Sequence, residues 1–96
     1  MAAYLLVELT LKNPDNMDEY RSKVSDTIVA HGGKYLIRAG EVKIVEGCIG
    51  QHPTKVVVEF PNMEALENWY KSPEYQAILG NRLENSEGNA LFVEGV

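Results

Sequence analysis

The chain has 96 residues, 45% of them hydrophobic and 24% charged, and a formal net charge of −5. That length fits one domain and leaves no room for two. Acidic residues outnumber basic ones and Lys and Arg do not cluster, so neither a phosphate backbone nor an anionic membrane surface is an expected partner. The N-terminal Met-Ala-Ala-Tyr-Leu-Leu-Val-Glu has no basic region, and Glu8 interrupts its apolar run, which predicts a strand rather than a signal peptide. No run approaches the ~20 apolar residues that span a bilayer. The single Cys48 has no partner for an internal disulfide, and a cytoplasmic setting is the default expectation.

Residues 3–12 alternate. Leu5, Val7, Leu9 and Leu11 fall on one face, and Tyr4, Leu6, Glu8, Thr10 and Lys12 on the other, predicting the first strand. Asn13-Pro14-Asp15-Asn16 stops it and opens a helix, with either Asn13 or Asn16 as N-cap. Met17, Tyr20, Val24, Ile28 and His31 form its apolar stripe, and Gly32-Gly33 ends it. Lys34–Arg38 and residues 42–46 read as extended, with a bend at Ala39-Gly40 and a loop over 50–53. Residues 55–60 are the most β-rich run and predict a central strand. Pro61 ends it, Asn62 caps a second helix carrying Leu66, Trp69 and Tyr70, and Ser72-Pro73-Glu74 starts a further short helix. The polar, glycine-containing stretch 81–89 predicts a loop, and 90–94 a last short strand. The order β-α-β-β-α-β with right-handed crossovers gives a ferredoxin-like α+β fold: a four-stranded antiparallel sheet with helices on one face.

The other face of that sheet carries Tyr4, Leu6, Glu8 and Thr10 beside Lys55, Val57 and Glu59, with Leu36 and Arg38 expected there from the second strand. It is too apolar to face water comfortably and too charged for a dry core. A second copy packed sheet to sheet around a wet cavity reconciles the two, so a homodimer is expected.

The segments His31-Gly32-Gly33-Lys34-Tyr35-Leu36-Ile37-Arg38, Val45-Glu46-Gly47, Val58-Glu59-Phe60-Pro61 and Trp69-Tyr70-Lys71-Ser72-Pro73-Glu74-Tyr75-Gln76, with Arg82 and Val93-Glu94-Gly95, closely resemble the family called domain of unknown function 1330, in the dimeric α+β barrel superfamily. Members usually show Arg-Gly-Gly where this chain has Arg38-Ala39-Gly40. The resemblance implies a homodimer whose two sheets form a barrel, and it implies no reaction. Superfamily relatives include cofactor-free monooxygenases, lactone isomerases and haem-degrading enzymes, an analogy of fold only.

Candidate chemistry follows from the charged and aromatic residues. Glu8, Glu59 and Arg38 could converge in the barrel, Arg38 orienting a ligand carboxylate and Glu59 or His31 exchanging a proton. The competing reading of the first three is an ion pair between strands or subunits, and that of His31 is a cation favoured by the helix dipole. Trp69 and Tyr75 supply an apolar wall or ordinary helix–sheet core. Tyr4, Glu8 and Arg82 complete the candidate ligand contacts, Arg82 either pairing with Glu74 or Glu84 or closing over a ligand. His52 reads as a solvated loop residue and Cys48 as a small strand residue, and with His31 they lack the spacing of a zinc site. No phosphate loop, Ser/His/Asp pattern or di-acid motif indicates a nucleotide, flavin, nicotinamide or metal cofactor. Residues 62–80 contain no histidine, where superfamily haem enzymes place an axial one. The expected function is therefore cofactor-independent catalysis on, or binding of, a small organic acid or polar aromatic molecule in the barrel. The alternative is a non-catalytic dimeric module, stress-associated or accessory to another protein.

Overall fold

The computed structural model describes residues 1–47 and 52–96. Strands β1 (Ala3–Leu11), β2 (Lys34–Arg38), β3 (Thr54–Phe60) and β4 (Ser86–Glu94) form one antiparallel sheet in the order β2-β3-β1-β4. Helices α1 (Asp18–Ala30), α2 (Met63–Lys71) and α3 (Pro73–Asn85) cover one face, giving the ferredoxin-like architecture. The alternation of β1 is the reason: Ala3, Leu5 and Leu9 are buried beneath the helices, and the register Leu5↔Val58 aligns them with Val58 and Phe60 of β3. Gly33 lets α1 close onto this core, since a Cβ there would meet Ile28 Cγ2 at 2.7 Å and the Phe60 ring at 2.8 Å. The Cys48 reading and the first half of the 50–53 loop lie outside the described residues.

The helix starts show where local signals suffice. Asn62 caps α2 by accepting from the Ala65 N–H at 2.8 Å, and Ser72 caps α3 by accepting from the Tyr75 N–H at 3.3 Å, with Pro73 at the first position. Helix α1 behaves differently. It is entered through a 3-10 turn, Pro14–Met17, and neither Asn13 nor Asn16 caps it with its side chain. Asn81 of α3 does that work from a distance, accepting from the Tyr20 N–H at 3.3 Å and donating to the Asn16 carbonyl at 2.7 Å.

Two expectations are corrected. Residues 81–89 are not a loop: α3 runs on to Asn85 and β4 begins at Ser86. Two of the polar residues that suggested a loop are buried with their hydrogen bonds made, Asn85 Nδ2 donating to the Asn81 carbonyl and Ser86 Oγ to the Arg82 carbonyl, both at 2.7 Å. The Asn85 carbonyl also accepts from the backbone N–H groups of Lys12 and Asn13. Residues 42–46 form no strand; Val42, Ile44 and Val45 are exposed and unpaired with the sheet.

The second strand carries a bulge. Lys34 pairs with Glu59 and Tyr35 with Val58, but Ile37 then pairs with Val57 and Arg38 with Val56, so Leu36 is an extra residue. Just beyond, Ala39 adopts a positive φ of 57°, and its N–H donates to the Lys55 carbonyl at 2.8 Å. An L side chain is strained there and glycine is not. Ala39→Gly is expected to stabilise the fold by about 0.5–1 kcal/mol, the relieved strain exceeding the added freedom of the unfolded chain. An unchanged or lower urea midpoint would contradict this.

Candidate functional site

The interface between sheet and helices is filled at one end and hollow at the other. Ala3, Val58, Phe60 and Leu66 leave no exposed surface at the packed end. Towards the opposite end, marked by Leu9, Thr54 and Arg38, a cavity of about 370 Å³ opens between β1, β3, α1 and α3. That is the lower part of the range for small-molecule sites, with room for a small ring compound. Its walls are aliphatic on the sheet side and aromatic on the helix side, where Tyr20, Trp69, Tyr70 and Tyr75 meet. The aromatic wall is rigid. Trp69 and Tyr75 stack with ring centres 4.1 Å apart, Tyr70 packs against both, and the Trp69 Nε1–H donates to Thr27 Oγ1 at 3.0 Å.

The charges in this cavity are all positive. Arg21, Arg38 and Arg82 line it, and among the described residues no Asp, Glu or His does, in a chain of net charge −5. Arg38 lies over the Tyr35 ring, 4.5 Å from its centre. Arg82 is only 7% exposed, forms no salt bridge to a described carboxylate, and its Nε has no hydrogen-bond partner. Burial works against its charge, but the neighbouring phenol oxygens of Tyr75, Tyr20 and Tyr70 more than offset this and raise its pKa. A cation buried without a carboxylate is costly, and an anionic ligand would satisfy it. Neither Glu74 nor Glu84 pairs with it, contrary to one of the sequence expectations.

The candidate residues thus divide between places. Arg38, Trp69, Tyr75 and Arg82 meet in the cavity. Tyr4, Glu8 and Glu59 lie on the opposite face of the sheet, so the expected convergence of Arg38 with Glu8 and Glu59 does not occur. The Leu36 bulge is the cause, because it turns Arg38 to the helix side. His31 is in neither place. It sits outside the cavity at the end of α1, its Nδ1 within 2.9 Å of the Thr27 carbonyl. His52 Nδ1 is 2.8 Å from Thr10 Oγ1. Tyr20 was readable only as part of an amphipathic stripe; a tyrosine where a helix needs only an aliphatic residue was the available signal.

On the helix-free face the two carboxylates are engaged across strands. Glu8 accepts from Lys55 Nζ at 2.9 Å and from Asn89 Nδ2 at 2.8 Å, while Glu59 accepts from the Tyr4 hydroxyl at 3.1 Å and faces Lys34 Nζ at 3.4 Å. Between them the pairings align Ile37, Val57, Leu6 and Leu91 into one apolar row across all four strands. The hydrogen bonds from Lys55 and then Asn89 hold the Glu8 carboxyl below its ordinary 4.5. A folded-state value below the unfolded one contributes stability that is complete above 4.5 and is lost as the pH falls through the lowered value. Between about pH 5 and 3 the wild-type chain should therefore lose more stability than Glu8→Gln, in parallel urea titrations. Equal losses would show that the contacts of Glu8 do not matter.

Among the described residues, no three His, Cys, Asp or Glu side chains gather as a metal would require, and no helix is long and apolar enough to cross a membrane. The family model described as domain of unknown function (DUF1330) matches residues 2–96. No functionally curated protein matches the chain by sequence. Solved structures share the fold at low identity. A protein of unknown function from Rhodopseudomonas palustris is 15% identical with a TM-score of 0.76, covering 99% of this chain and 82% of that one. A dimeric ferredoxin-like protein of unknown function from Jannaschia sp. CCS1 is 15% identical with a TM-score of 0.73, covering 99% and 100%. SnoaB, a cofactor-independent oxygenase from Streptomyces nogalater, is 7% identical with a TM-score of 0.66, covering 99% and 93%.

Proposed function

Because the chain belongs to the DUF1330 family, whose description names no reaction, its function has to be argued from its own site, and we propose that the sheet–helix cavity binds a small organic anion with an apolar, ring-containing body. The observation that carries this is Arg82, a buried cation that among the described residues has no carboxylate partner and shares its cavity with arginines and no acid. Arg82 pairs with the anion, Trp69 and Tyr75 hold the ring, and Arg38 and Arg21 draw the ligand in from the solvent side. Any reaction at this site proceeds without a resident cofactor, a reading to which the cofactor-independent oxygenase of the same fold lends support. The site is the helix-side cavity rather than the space between two sheets. A hollow of this size also favours a ligand-handling protein over a purely accessory module.

Thermal-shift and calorimetric titration with benzoate and its neutral isostere benzamide tests the reading. Benzoate should bind and benzamide should bind at least about tenfold more weakly, a difference of 1.4 kcal/mol. Equal affinities, or no binding of either, would sink it.

The same reading includes a homodimer formed through the helix-free face. Ile37 and Leu91, at the two ends of the apolar row, are 47% and 54% exposed there, between two rows that carry the charged pairs, as at the centre of an interface with its rim. Similar folds described as dimeric support it. One sheet face matches the roughly 800 Å² per partner that a standard interface buries. Leu6→Asp places a charge in the middle of the row and should give monomers by sedimentation at tens of micromolar. A wild-type monomer under the same conditions would end the dimer proposal and leave the cavity untouched.

A further inference from the structure

Tyr20 and Tyr75 line the cavity with their hydroxyl oxygens 2.9 Å apart. One hydroxyl proton joins the pair, so the other is free for a third oxygen. Burial, followed by the nearby Tyr75, pushes the Tyr20 pKa upward, which keeps that phenol a neutral donor. Beside the pair stands Arg82 with its unpartnered Nε–H. The described lining contains no carboxylate and no imidazole, so the cavity offers a cation and hydrogen-bond donors but no base. Such a site stabilises negative charge on a ligand oxygen and cannot itself take up the ligand's proton.

We propose that this cavity binds acidic phenols and enols as their anions, the oxygen held between the Tyr20–Tyr75 pair and Arg82. This rests on the anion-binding reading above and narrows its ligand class. In the step, the ligand O–H bond breaks, the electron pair stays on oxygen, and the proton leaves to solvent; no carbon bond changes and nothing is oxidised. Delocalised phenolate and enolate are electron-rich, and the aromatic wall of Trp69 and Tyr70 accepts their planar bodies.

The probe is 4-nitrophenol, whose anion is read directly by visible absorbance. With protein in excess, a pH titration should show the bound phenol ionising at least one pKa unit lower than free, equivalent to about tenfold tighter binding of the anion than of the neutral form. The double variant Tyr20→Phe/Tyr75→Phe should lose at least half of that shift. If it does not fold, Arg82→Met supplies the same readout. Benzoate calorimetry separates the two levels. Benzoate binding together with an unmoved or raised nitrophenol pKa overturns the phenolate inference and leaves the anion site standing. Failure of both ligands to bind overturns both. A shift that survives intact in the double variant and in Arg82→Met also overturns the inference.

Discussion

Arg82→Met is expected to weaken benzoate binding roughly 100-fold, about 2.7 kcal/mol, while raising rather than lowering the stability of the free protein. The two effects have one origin. The guanidinium is almost fully buried, no described carboxylate neutralises it and its Nε is unpartnered, so the folded chain carries a desolvated charge held by the neighbouring phenol oxygens and by no ion pair. Replacing buried ionic groups by apolar ones of similar volume is neutral or stabilising by about 1–4 kcal/mol when the original charge is poorly compensated. Methionine keeps an unbranched stem of similar reach, and the backbone carbonyl that accepts from Ser86 Oγ is unchanged. A gain of about 1 kcal/mol would lift the melting midpoint by about 4–8 °C in a domain this small. With an anion bound the order reverses, because the wild type alone gains stability from the ligand. Thermal melts of both proteins, with and without benzoate, measure this crossing. A destabilised variant that still binds benzoate would make Arg82 a structural residue.

Two glycines are expected to respond in opposite directions to the same substitution. Gly88→Ala should cost about 3 kcal/mol, the upper end for an overpacked site. A Cβ on Gly88 would clash with the Glu8 carbonyl oxygen and lie 3.0 Å from the Leu9 Cα, and both are backbone atoms of the central strand β1, which cannot swing aside as a side chain can. The β1–β4 pairing would have to part near Leu9↔Gly88. Against a total stability of roughly 5–15 kcal/mol this is a large loss. Gly80→Ala should instead stabilise by about 0.8–1 kcal/mol, since Gly80 lies inside α3 and its added methyl meets nothing within 4 Å. Urea midpoints at constant slope compare the pair. A neutral Gly88→Ala would mean that residues 86–89 are the loop their composition suggests.

The readable parts of the sequence were those in which side-chain polarity and structural role agree. The alternation of β1 and β3 sorted residues correctly between the helix side and the open side, because the helix side takes the apolar residues from Ala3 to Leu11 and from Val56 to Phe60 and buries Ala3, Leu5, Leu9, Val58 and Phe60. The caps at Asn62 and Ser72 were readable because each acts within three residues. Where partners come from afar, local signals failed. Asn81 looks like a loop residue and instead caps α1, and Asn85 and Ser86 look exposed but are buried with their hydrogen bonds satisfied. The candidate site was half readable for the same reason. Trp69, Tyr75 and Arg82 stood out by residue type, but composition does not reveal on which side of the sheet a hollow forms, nor that a charged residue at 38 faces it.

The extra residue at Leu36 acts as a change of parity. Up to Tyr35, odd-numbered residues of β2 face the helices; after Leu36, even-numbered ones do, so Arg38 points into the hollow and Ile37 joins the apolar row outside. A chain of the same length that paired residue 36 regularly with Val57, with no bulge, would exchange the two, sending an arginine to the outer surface and an aliphatic side chain to the cavity mouth. Among proteins of this fold, loss of the bulge at constant length would therefore change ligand charge preference and self-association together, with no substitution at either surface.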